Sequence, residues 1–160
     1  MVIGVINSIV SSRRAEKNEQ QTLETRQAQL FMQIYSWWSS KATAEQYGRV
    51  RYSYSFRDFQ DWNDQVGTGT GNLTNLGVYS DMQSMSEFFE GIGVLVQRGL
   101  ISVDLVEDLL ANRVIWWWEK WKPLSEGARV ATGDPKLHDH TEYLYNVMRQ
   151  RQQKQAPAST

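Results

Sequence analysis

Residues 86–124 read SEFFEGIGVLVQRGLISVDLVEDLLANRVIWWWEKWKPL, and this stretch decides the fold. Just ahead of it and through its first third, apolar residues fall at Leu76, Tyr79, Met82, Met85, Phe89, Ile92 and Val96. Steps of three and four draw one stripe along a helix. Phe88 and Leu95 widen that stripe, as suits a central helix touched on two sides. Gly99 fits the left-handed position just past a helix end, and Arg98 places a cation in the last turn. Ser102 is a good N-cap for the next helix, with Asp104 in its first turn. Ile101 is placed to staple against Val106, while Leu105, Leu109 and Leu110 share its face. The reading is helix, sharp corner, helix.

Gly91 and Gly93 each cost roughly 1 kcal/mol relative to Ala inside a helix, so a neighbouring backbone is expected to pack close there. A break is expected near Ala111–Asn112, followed by a third helix with Val114, Ile115, Trp118 and Trp121 inward. Pro123 should kink or end that helix near Lys122, leaving Ser125 to Gly133 as a loop with a helical remnant. Trp117 can join Trp121 one turn on, whereas Trp116 points elsewhere. Trp116 and Trp117 are therefore the candidates for contact with a partner, a ligand or a lipid interface. The plainer alternative is a helix buried on several sides.

The run FFEGIGVLVQRGLISVDLVEDLL, with WWWEKWKPL beyond it, follows an N-terminal helix that has an apolar start and a basic flank. Together these resemble an uncharacterised prokaryotic family of small helical proteins. The resemblance runs from about residue 2 to residue 148 and is clearest over residues 88–124. It implies an N-terminal membrane helix followed by a helical soluble domain. It implies no assigned activity and so carries over no catalytic residue.

The 160 residues fit one domain with a real core. Hydrophobic content of 41% and charged content of 22% are those of a globular chain. A net charge of −1 provides no general field for nucleic acid. Arg49 and Arg51 lie among tyrosines, but Asp58, Asp61 and Asp64 follow and cancel them. The absence of cysteine excludes disulfides, thiol catalysis and cysteine-ligated metals. Three prolines and no long apolar strand run point to an all-α fold. The expectation is a single-domain helical bundle with a long N-terminal helix and the central helix–corner–helix unit.

At the front, Val2, Ile3, Val5, Ile6, Ile9 and Val10 are followed by Arg13 and Arg14. A dozen helical residues reach about 18 Å against a hydrocarbon core of about 30 Å, too short to span alone. Three readings stand open: the tail of a membrane helix, an interfacial anchor, or a packed helix end. In the first, Arg13, Arg14 and Lys17 mark the cytoplasmic side. Residues 1–14 are thus read as a short anchor or truncated membrane helix, 15–149 as a helical domain and 150–160 as a disordered tail. Within the domain, polar residues from Ser12 to Gln29 suit a solvated helix, and Leu23, Leu30, Phe31, Ile34, Tyr35 and Trp38 are expected to form an amphipathic stripe along it. A helix up to about Tyr52, a break near Ser53–Ser55 and another helix from about Arg57 follow. Gly67 to Gly77 read as a linker that lacks the strand and Lys-Ser/Thr of a phosphate loop.

Chemistry has one weak foothold. His138 and His140, with Asp134 upstream, are proper ligand types for zinc, but side chains two apart on a helix diverge. A helix start with Asp139 as N-cap and Glu142 completing a capping box is the plainer reading. Glu87 and Glu90 lie one turn apart without the Glu-x-x-His that a di-metal bundle requires, and read as solvated or salt-bridged. No catalytic residue and no cofactor are expected. The expected role is a non-enzymatic interaction or accessory protein at the cytoplasmic face of the cell membrane, or otherwise in the cytoplasm. Its partners would be a membrane surface, a protein or a second copy through a helical face, and no nucleic acid. The alternative is a small-ligand-binding or metal-dependent enzyme with an aromatic-lined pocket near His138 and His140.

Overall fold

The computed structural model describes residues 2–67 and 73–155, with side chains over 13–67 and 73–154. Six helices follow one another: α1 Val2–Trp38, α2 Lys41–Tyr52, α3 Phe59–Val66, α4 Leu76–Gln97, α5 Val103–Thr132 and α6 Asp139–Gln155. No strand occurs among the described residues, so the chain is an all-α bundle. Residues 68–72 of the linker expected over 67–77 lie outside the described residues, as do the side chains of Val2, Ile3, Val5, Ile6, Ile9 and Val10, while Leu76 and Gly77 already belong to α4.

Helix α4 is the hub, packed on α2, α3 and α6, while α5 closes the bundle against α3 and α6. The stripe from Met82 through Met85, Phe89 and Ile92 to Val96 is buried, as its spacing requires. The corner forms through Gly99 at φ 66°, with Leu100 N–H donating to the Leu95 carbonyl at 2.9 Å. Ser102 caps α5 by accepting from the Asp104 N–H, and Ile101 and Val106 are both buried beside it.

Two expectations about α5 are corrected. The helix passes through Ala111–Asn112 without a break and through Pro123 to Thr132. Pro123 removes the N–H that would bond the Glu119 carbonyl, yet Pro123 and Glu119 both lie on the exposed face, where water can serve that carbonyl. Beyond it, Leu124 and Ser125 are buried and Gly127 lies against Phe59 of α3. Packing on both sides of the proline outweighs its local preference. Helix α6 also runs on to Gln155, so residues 150–155 are helical where the tail was expected to begin. Arg151 there pairs with Asp104 and Glu107 at the start of α5.

Among the described side chains, helix α1 meets the bundle through its C-terminal part. Gln27 Nε2 donates to the Gly99 carbonyl, and Phe31 and Trp38 are buried. Trp38 stacks on Phe88 at 4.8 Å and meets Tyr47 edge-on at 5.2 Å. Residues 13–26, by contrast, are exposed on every face.

Close backbone approach is real at Gly93 and absent at Gly91. A Cβ at Gly93 would sit 2.6 Å from the His140 carbonyl carbon, whereas one at Gly91 meets nothing within 4 Å. Gly93→Ala should therefore lower stability by about 1–3 kcal/mol through overpacking, while Gly91→Ala should raise it by about 0.5–1 kcal/mol. Urea midpoints of the two variants check this, and equal effects would show that α4 and α6 are not in contact at Gly93.

Candidate functional site

One set of interior polar groups gathers where α6 begins. Gly93 lets the α6 backbone approach α4, and Glu90, three residues earlier, then reaches the first turn of α6. Its Oε1 accepts from His140 N–H at 3.2 Å and from His140 Nδ1 at 2.8 Å. Its Oε2 accepts from Thr141 N–H at 2.9 Å and Thr141 Oγ1 at 2.8 Å. Burial opposes the charge on Glu90, but these bonds together outweigh it and hold its carboxyl below the usual 4.5. A negative group at a helix N-terminus is also favoured by the helix dipole. Glu90 is thus a capping group supplied from another helix.

This replaces the capping box expected within α6. Helix α6 begins at Asp139, and Glu142 pairs instead with Arg129 of α5 at 2.8 Å. Glu87 accepts from Gln83 on the exposed face of α4.

His138 stands at the turn into α6 with φ 60°, a left-handed value that histidine adopts more readily than most residues. That conformation swings its ring inward, between α4 and α5. Ser86 Oγ lies 2.9 Å from Nε2, and Ser125 Oγ lies 3.0 Å from Nδ1. Burial pushes His138 below its ordinary 6.5; the Glu90 charge opposes that shift and the Arg129 charge adds to it. The imidazole is neutral at physiological pH. His138 and His140 therefore part company, one to the serines and the other to Glu90. Among the described residues no three His, Asp or Glu side chains gather as a metal ligand set.

The Ser86–His138–Ser125 chain forms one end of a cavity of about 450 Å³ between α3, α4 and α5. Phe59, Trp62, Tyr79, Trp117 and Trp121 supply its aromatic wall, and Ala128 and Ala131 leave the space. Among the aromatic wall, Trp117 follows the buried alternative of the two readings given to it. It is 4% exposed and packs on Phe89 at 5.2 Å, so it offers no outer surface to a partner. Trp116 does lie near the surface, half-buried, with Tyr47 edge-on at 5.6 Å and the Arg51 guanidinium over its ring at 5.1 Å.

Lys120 and Asp81 fix α2 to this core. The Lys120 ammonium donates to the Val50, Arg51 and Tyr54 carbonyls at the end of α2, at 3.3, 2.9 and 2.8 Å. Asp81, buried, accepts a forked pair from Arg49 at 2.6 and 2.8 Å and a third bond from Tyr54 at 2.7 Å. Asp81 did not stand out in sequence, and Glu90 stood out only as the partner of Glu87; of the two glycines that signalled a close backbone, Gly93 is the one that meets it.

The chain belongs to the family described as domain of unknown function DUF4760, whose model matches residues 2–149. No curated protein and no solved structure matches it. Among the described residues no helix is long and apolar enough to cross a membrane.

Two acid-sensitive groups of this site act in successive pH windows, and Asp81, whose carboxyl is held below its usual range by the Arg49 hydrogen bonds, adds to the lower one. The fold holds His138 neutral while the unfolded chain takes a proton near 6.5, so this contribution is complete above that pH and declines below it. Glu90 contributes fully above 4.5 and declines as the pH falls further. Urea midpoints measured from about pH 8 to about pH 3 should fall in both windows. His138→Asn should flatten the upper fall and Glu90→Gln should lessen the lower one. Unchanged profiles in both variants would refute the assignment.

Proposed function

We propose that this chain is a non-enzymatic interaction module carried at the cytoplasmic face of a membrane by the front of α1. The observation that carries the reading is the exposure of residues 13–26 on every face of a continuous helix. Fourteen helical residues hold the two ends of that segment about 21 Å apart. A helix polar on all sides suits a solvated connection between two attached parts. One part is the bundle, which α1 joins from Gln27 onward. The other is the apolar run from Val2 to Val10, with Arg13, Arg14 and Lys17 behind it. Apolar residues backed by cations suit a bilayer surface containing anionic lipid, and they suit the cytoplasmic side. Trp116, half-buried under Arg51 and beside Tyr47, marks the face of the bundle on which a protein partner would be held.

Flotation of the full chain with phosphatidylcholine–phosphatidylserine vesicles tests the attachment. The chain should float at low and at high salt, because insertion of apolar residues survives screening. Ile3→Asp combined with Ile6→Asp should reduce the floated fraction at least about tenfold. Arg13→Glu with Arg14→Glu should weaken only the low-salt binding. A full chain that stays with the unbound fraction, or aspartate variants that float as well, would overturn the reading.

A further inference from the structure

The cavity between α3, α4 and α5 has no role in membrane attachment, and its chemistry is specific. Its volume of about 450 Å³ lies in the range of small-molecule sites. No Asp, Glu, Lys or Arg lines it. The neighbouring charges are turned to other partners: Glu90 to the start of α6, and Arg129 to Glu142 and to the Leu137 carbonyl at 2.8 Å. An ionic ligand would give up part of its hydration in this half-open cleft without gaining a countercharge, although Asn63, Gln83 and Thr132 add polar groups to the lining.

The helices cannot close over the space. Gly127 of α5 is already in contact with Phe59, and a Cβ there would overlap that side chain. Gly93 of α4 is likewise against the α6 backbone. The Gly127–Phe59 contact sets the spacing of α3 and α5 beside the cavity, while Ala128 and Ala131 are too small to fill it. The left-handed backbone of His138 places a neutral ring at the polar end.

That end has hydrogen-bonding capacity to spare. A neutral imidazole has one donor nitrogen and one acceptor nitrogen. One serine therefore donates to His138 and the other accepts from it. The accepting serine keeps its hydroxyl proton for a further partner, and both oxygens retain a lone pair. A ligand hydroxyl or carbonyl can be met in either sense, with aromatic walls at Trp62, Tyr79 and Trp117 against the rest of the molecule.

We propose that this cavity binds a small, uncharged, largely aromatic ligand that turns one hydroxyl or carbonyl toward the Ser86–His138–Ser125 chain. The site is independent of the membrane reading, because it lies wholly within the bundle and its test contains no lipid.

The test is calorimetric titration of the full chain with 1-naphthol, with naphthalene, and with 1-naphthoate as the charged counterpart. The indole N–H signals of Trp62 and Trp117 are followed by NMR in the same samples. One-to-one saturable binding of 1-naphthol is expected, moving both indole signals. Naphthoate should bind at least about tenfold more weakly, and naphthalene should bind more weakly than naphthol. Ala128→Phe, which fills the space, should abolish the response. Should that variant fail to fold, Ala131→Phe at the same wall provides the same readout. The proposal is overturned by absent saturation with naphthol and naphthalene, by naphthoate binding as tightly as naphthol, or by binding that survives filling of the cavity.

Discussion

The first turn of α6 presents N–H groups that no residue of its own helix can satisfy, and the Glu90 carboxylate of α4 takes two of them. A carboxylate can do this only if the two backbones lie close. That condition is met at Gly93, where a Cβ would overlap His140. The interaction is strong because a charged acceptor meets backbone donors at a helix N-terminus in a half-buried place. Much else follows from it. With α6 anchored at its start, His138 is delivered to the serines of α4 and α5, and Thr141, Leu144 and Met148 are buried. Arg149 and Arg151 then reach acidic groups on α5 and hold the other end.

The same logic recurs at the far side of the bundle with the sign reversed. Lys120 places an ammonium on the free carbonyls at the end of α2, and burial lowers its pKa as the cost of that position. Trp116 and Trp121 flank the ammonium, at 5.2 and 4.6 Å. Asp81 and Arg49 complete the link between α2 and α4. Long helices with few connections are thus joined by charges at helix ends, and a rigid head results. The arm formed by residues 13–26 takes no part in this network.

Local signals made the corner between α4 and α5 legible. The stripe on α4, Gly99, Ser102 and the Ile101–Val106 staple agree with one another, and no distant residue had to be known. Pro123 misled because its preference is local, whereas Leu124, Ser125 and Gly127 hold the helix through contacts with other helices. Trp117 was left between joining Trp121 inside and meeting a partner, because three neighbouring tryptophans cannot share one core face. Here α5 is enclosed by α3, α4 and α6, so Trp117 and Trp118 face different parts of one interior. Glu90 was read as solvated or salt-bridged with no partner named, because its donors lie fifty residues away in the chain. His138 and His140 were a weak ligand pair whose spacing already spoke against convergence, and the left-handed turn at His138 does part them. Nothing in a linear pattern marks a carboxylate that caps another helix.

Amide hydrogen exchange at His140 and Thr141 tests the central interaction most directly. First-turn amides ordinarily exchange freely, so protection there must come from Glu90. The account predicts that both amides are protected in the native chain. In Glu90→Ala they should exchange at least about tenfold faster, while mid-helix amides of α4 and α5 change far less. Open-chain exchange at both positions in the native protein, or protection that persists in Glu90→Ala, would contradict it.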